Sequence, residues 1–114
     1  LKFLAENEPM PGRDSIKHLF CRLGEWLNTY APNGCLSLNA LAAHPGNIEV
    51  RNTTKRHKRE LIRMMARRCG QRPLSKELFL LHEGASAAWP IVGIQAIQTA
   101  EAAALKLLNG GRYE

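Results

Sequence analysis

The stretch "SKELFLLHEGASAAW", Ser75 to Trp89, decides the fold class. Wound at about 3.6 residues per turn, its Leu78, Phe79, Leu80, Leu81, Ala85, Ala87, Ala88 and Trp89 leave no broad polar face. A helix apolar nearly all the way round must be covered on more than one side. Ser75 followed by Glu77 marks its start. Covering such a helix requires a layer of other helices, so the chain is expected to be an all-α bundle of about five to six helices.

C-terminal to this stretch, Pro90 and Gly93 are expected to kink or break the helix. "IQAIQTAEAAALKLL" then forms a last one, stopped by Asn109-Gly110-Gly111. Gly84 to Ala88 and the alanines at 96, 100, 102, 103 and 104 carry little side chain. Helix backbones can therefore approach toward the short end of the usual range of about 8–10 Å. Two helices this apolar in so short a chain predict a second layer from another copy. The expectation is a homodimer through a four-helix bundle of residues 75 to 108, with Leu78, Leu81, Ala85, Ala88, Ile94, Ile97, Glu101, Ala104 and Leu108 at the interface.

Toward the N-terminus the same periodicity holds. After Pro9-Met10-Pro11-Gly12, Asp14 is the expected N-cap of a helix to about residue 30, with Ile16, Leu19, Phe20, Leu23, Trp26, Leu27 and Tyr30 at steps of three and four. A short helix from Cys35 to about Ala43 follows Ala31-Pro32-Asn33-Gly34, and His44-Pro45-Gly46 ends it. Asn47 caps a long helix whose apolar stripe uses Leu61, Ile62, Met64, Met65 and Cys69 and whose stop is Gly70. Arg56, Arg59, Arg63 and Arg67 stack along its opposite face. No strand pattern, repeat or low-complexity tract interrupts the series.

Composition bounds the function. The 114 residues fit one domain, and 45% hydrophobic content can build a core. The longest apolar run, Ala85 to Ile94, is too short and too interrupted for a membrane span of about 20 residues. Three cysteines at no paired spacing predict a reduced, cytoplasmic setting. His18 and Cys21 supply two metal ligands one turn apart, short of a metal site, and no cofactor motif is present. The net charge of +6 invites a nucleic-acid reading, but half of the 16 basic residues lie between Arg51 and Arg68. Solvated helix face and phosphate-binding surface are the two readings of that run.

Three segments in order carry a family resemblance. "HLFCRLGEWLNTYAPNGCLSLNALAAHP" is followed by "IEVRNTTKRHKREL" and then by "LLHEGASAAWPIVGIQAIQTAEAAALKLL". Together they resemble the C-terminal half of a TetR-family transcriptional regulator, over nearly the whole chain. The resemblance implies an all-helical ligand-binding and dimerisation domain of a repressor, whose small-molecule effector alters the separation of two DNA-reading heads. No part of residues 1–114 matches a helix-turn-helix, so operator binding would require an N-terminal domain outside them. The alternative is a basic helical module that binds nucleic acid or protein directly.

Candidate site residues follow from both sources. In the family the short helix flanks the effector cavity, so Cys35, Leu36 and Asn39 would face a ligand. On a packing reading Cys35 is a small buried hydrophobe and Asn39 hydrogen-bonds a neighbouring backbone group. Phe20, Leu23, Met65 and Trp89 supply apolar or adaptable wall, and His82 a polar anchor. His82 and Glu83, adjacent on a helix, are expected to diverge by about 100°. Without a base beside Cys35 no catalytic residue is assigned, and without convergent charge the effector is expected to be apolar or amphipathic.

Overall fold

Ile16, Leu19, Phe20, Leu23 and Leu27 lie on one side of a helix, and all five are buried in the computed structural model, which describes residues 2–5 and 10–110. That helix is α2 (Arg13–Thr29), and its stripe is the axis on which the molecule is assembled. Around it stand α1 (Lys2–Ala5), α4 (Ile48–Cys69), α5 (Ser75–Val92) and α6 (Ile94–Leu108), while α3 (Leu36–Ala43) rests on α4. A 3-10 turn, Arg72–Leu74, leads from α4 into α5. Among the described residues there is no strand, and no helix is long and apolar enough to cross a membrane.

The local signals account for most boundaries. The Asn47 side chain accepts a hydrogen bond from the Val50 amide at 3.1 Å, closing the first turn of α4, and that helix ends at Gly70. α2 differs from expectation at its start. Gly12, not Asp14, is the capping residue, and its amide donates to the Arg68 carbonyl at 2.7 Å. Tertiary pairing with α4 thus fixes the entry of α2. Asp14 stands inside the first turn, where its carboxylate meets the positive end of the helix dipole.

Arg68 is the charged exception in the core. Only 2% exposed, it donates to the Leu4 carbonyl and so ties α1 to α4. On the other side of α1 the aromatic rings of Phe3, Trp26 and Tyr30 meet, with centroids 4.9 to 6.1 Å apart, and the Arg22 guanidinium covers Phe3 at 3.8 Å. Trp26 and Tyr30, expected on the apolar stripe of α2, instead lie at its solvent edge as the seat of α1.

α5 passes through Pro90 without breaking and ends at Gly93. A proline in the last turn removes the donor that the Ser86 carbonyl would otherwise meet. Gly34 closes against that carbonyl from the opposite loop: a Cβ there would stand 3.0 Å from the Ser86 oxygen, and φ is +93°. Space and backbone both require glycine at this point.

The residues assigned from sequence to a face against a second copy divide in three. Leu78, Ala85, Ile97 and Ala104 are buried within the chain, because α5 and α6 turn those positions toward α2 and each other. For Leu78, Ile97 and Ala104 this corrects the sequence assignment: they are core. Ala85 forms the base of a groove between α5 and α6. Leu81, Ala88, Glu101 and Leu108 are half-buried, and Ile94 is exposed.

Gly34→Ala is expected to lower the unfolding free energy by about 2 kcal/mol, combining the left-handed backbone with the contact at Ser86. Urea denaturation followed by circular dichroism reads the change, and an unaltered midpoint would contradict the contact.

Candidate ligand cavity

A cavity of about 280 Å³ opens where α1, α2, α4 and α5 converge. Three helices line it, two of them in matching registers. α2 contributes Leu23, Trp26 and Leu27, α4 contributes His57, Lys58 and Leu61, and α5 contributes His82, Glu83 and Ser86. Phe3 and Leu4 of α1 and Cys35, the residue capping α3, complete the wall. Positions i, i+1 and i+4 of two neighbouring helices thus face one another, which is how a helix pair presents two adjacent columns to a shared space.

Charge enters this apolar setting as a pair. Lys58 Nζ lies 2.7 Å from Glu83 Oε1, and the two side chains are 13% and 14% exposed. The same ammonium donates to Cys35 Sγ at 3.1 Å. Burial works to lower the Lys58 pKa, but Glu83 and Cys35 outweigh it and hold the ammonium above its ordinary value. Burial works to raise Glu83; His82 and Lys58 outweigh it and hold the carboxyl below its ordinary value. Both partners are therefore charged near neutral pH, and their sum is zero.

His82 lacks this kind of support. It is 5% exposed, its ring lies 6.3 Å from that of Phe20, and Nδ1 is 3.9 Å from Glu83 Oε2, beyond hydrogen-bond range. Neither ring nitrogen has a hydrogen-bond partner, and Glu83 Oε2 and His57 Nδ1 are likewise without one. Burial pushes the His82 pKa below 6.5, so the ring is neutral, with one donor and one acceptor. His57 is lowered in the same sense by burial and by Lys58. Unmet polar groups inside an apolar wall are destabilising unless something binds there, since each costs about 1–3 kcal/mol.

Of the residues nominated from sequence, Leu23, Cys35 and His82 line the cavity. Phe20 and Met65 do not: both are fully buried in the core behind it. Trp89 is half-buried against the core at a remove from the cavity. Asn39 is exposed, and its amide donates to the Asn33 carbonyl at 3.2 Å, the packing role. The backbone of Leu36 opens α3, and its side chain lies outside those described.

One sequence expectation is corrected by this geometry: convergent charge is present, in the Lys58–Glu83 pair that sequence reading missed. His82 and Glu83 line the cavity as adjacent residues of α5, with Nδ1 and Oε2 3.9 Å apart. A signal for Lys58 existed: extending the buried series Met65 and Leu61 backward by three residues lands on it, and by seven on buried Thr54. Among the described residues no group of three or more His, Cys, Asp or Glu is arranged to hold a metal ion.

The His82 shift has a consequence for stability. The unfolded imidazole takes up a proton below about 6.5 while the buried one resists it, so stability falls as pH drops through that value. Glu83, held below 4.5, withdraws its contribution only at lower pH. The thermal midpoint is expected to decline between about pH 7 and about pH 5, and His82→Phe to remove most of that decline, leaving the share of His57. An equal decline in the variant would show that His82 is not its origin.

No family model, curated protein or solved structure matches the chain.

Proposed function

We propose that the chain is the effector-binding and dimerisation half of a TetR-like transcriptional repressor. The observation that carries this reading is the apolar cavity with an unpartnered, buried His82 in its wall. A helical bundle gains no stability from leaving such a group unmet, and a ligand with a hydrogen-bonding head would satisfy it. Leu23, Leu27 and Leu61 would hold an apolar body, and His82 with Glu83 Oε2 a hydroxyl or similar donor. Because Lys58 and Glu83 cancel, the ligand itself is uncharged. A volume near 280 Å³ limits it to a small amphipathic molecule.

The groove between α5 and α6 supports the second half of the proposal. Gly84, Ala85, Ala88, Ala96, Ala100 and Ala103 line it. Leu80, Ile91, Val92 and Ile94 stand exposed on the same two helices, Ile91 at 84%. A second copy laying its own pair across the groove would bury this surface in an isologous contact. Ligand binding would then act by linkage, favouring the arrangement of a dimer whose DNA-reading heads, carried on a separate N-terminal domain, fit the operator less well. Arg56, Arg59, Arg63 and Arg67 lie exposed on α4, away from the cavity wall.

Sedimentation at tens of micromolar is expected to show a dimer, and Ala88→Arg a helical monomer; a monomeric wild type would sink the bundle. Arg59→Ala with Arg63→Ala is expected to leave the dimer intact. DNA affinity of the isolated chain that vanishes in this double variant would favour direct nucleic-acid binding instead.

His82→Phe separates function from stability. Replacing an unpartnered buried imidazole by a ring of similar shape is expected to raise the unfolding midpoint at neutral pH. The same change is expected to weaken binding of small phenols or alcohols about ten-fold. Thermal unfolding with and without the phenol gives both values, and unchanged affinity would remove His82 from the site.

A further inference from the structure

Cys35 differs from the other two cysteines in its surroundings. It caps the N-terminus of the eight-residue α3, its sulfur accepts from the Lys58 ammonium at 3.1 Å, and it forms part of the cavity wall. Cys21 is more exposed, but its thiol points at the Glu25 carboxylate at 3.6 Å, and burial with that carboxylate raises its pKa. Cys69 is buried and donates to backbone carbonyls. Thiolates are favoured beside cations and at helix N-termini, and disfavoured beside anions. An ammonium has three donors, so Lys58 can hold Glu83 and the sulfur together.

The second observation is His82. It is buried, faces the same cavity, and has a ring N–H without an acceptor. A ligand carbonyl oxygen would meet that N–H.

We propose that Cys35 binds effectors covalently, as the nucleophile that adds to an α,β-unsaturated ketone or aldehyde with an apolar or aromatic body. The proposal rests on the reading of the cavity as an effector site. In the addition a sulfur–carbon bond forms at the β-carbon while the carbon–carbon π bond breaks. The electron pair moves onto the carbonyl as an enolate, which His82 stabilises by hydrogen bond. The proton released by the thiol ends on the α-carbon. Atoms and electrons balance without oxidant or reductant, and Leu23, Leu27 and Leu61 of the cavity enclose the apolar body.

The test uses limiting benzylideneacetone on the wild-type chain, with the adduct located by peptide mass. Cys35 is expected to react at least about ten-fold faster than Cys21, although Cys21 is the more exposed. Equal or faster reaction at Cys21 would overturn the proposal. Lys58→Gln is expected to bring the Cys35 rate down toward that of Cys21, and an unchanged rate would overturn the part given to the ammonium. The wild-type comparison stands even where this variant folds poorly. Benzylacetone, which lacks the electrophilic double bond, is titrated in parallel by calorimetry. Its binding without selective modification of Cys35 would overturn the sulfur chemistry and leave the cavity reading standing. Selective modification without its binding would support the sulfur chemistry and count against reversible recognition. Failure of both would overturn both.

Discussion

The burial of one stripe on α2 is the constraint on which the remaining structure depends. Ile16, Leu19 and Phe20 are wholly inaccessible, and Leu23 and Leu27 nearly so. At about 1.5–3 kcal/mol for each side chain removed from water, this stripe is the largest contiguous contribution that one helix makes. It cannot be covered by a single neighbour. α6 closes one side, approaching where Gly24 allows Ile97 near the α2 backbone, and α4 and α5 close the other. Toward its C-terminal end these neighbours diverge around Leu23 and Leu27, and the cavity is the space they leave.

Polar groups enter that space because α4 and α5 present two columns each where only one would be needed for packing. Lys58 and Glu83 answer one another across the gap, and each remains charged despite burial because the other is present. A pair of this kind adds little to stability compared with apolar residues of the same size, since desolvation offsets most of its attraction. Its effect lies in position: it orients an ammonium toward Cys35 and a carboxylate oxygen toward the cavity. Beside it, neither ring nitrogen of His82 has a hydrogen-bond partner. Three residues with unmet buried polar atoms, His57, His82 and Glu83, gathered around one apolar cavity are the physical basis for reading the place as a site.

Much of the fold was legible in the chain. Helix periodicity located five of the six helices, Asn47 and Gly70 marked the ends of α4, and the alternation of three and four on α2 named Ile16, Leu19, Phe20, Leu23 and Leu27 of its core, together with Trp26 and Tyr30, which lie at the solvent edge. Boundaries set by distant partners were less so. Gly12 displaced Asp14 as the cap because its amide finds the Arg68 carbonyl, and Pro90 stands in the last turn of α5, where the Ser86 carbonyl it leaves without a helix donor lies against Gly34. The site was legible only in part. Leu23, Cys35 and His82 were found by residue type, whereas Phe20 and Met65, of equally suitable type, proved to be core.

The sequence by itself determined the helices, the apolar face of each and the solvent-facing arginine row, since these depend on a spacing of three and four residues that neighbours in the chain impose. Only the tertiary structure decided which apolar residues border a space and which fill one. It also decided that Lys58 meets Glu83 and Cys35, that Arg68 turns inward, and that His82 is left without a partner. Those outcomes depend on how four helices converge, over separations of 23 residues from Cys35 to Lys58 and 64 from Leu4 to Arg68, which no local period encodes.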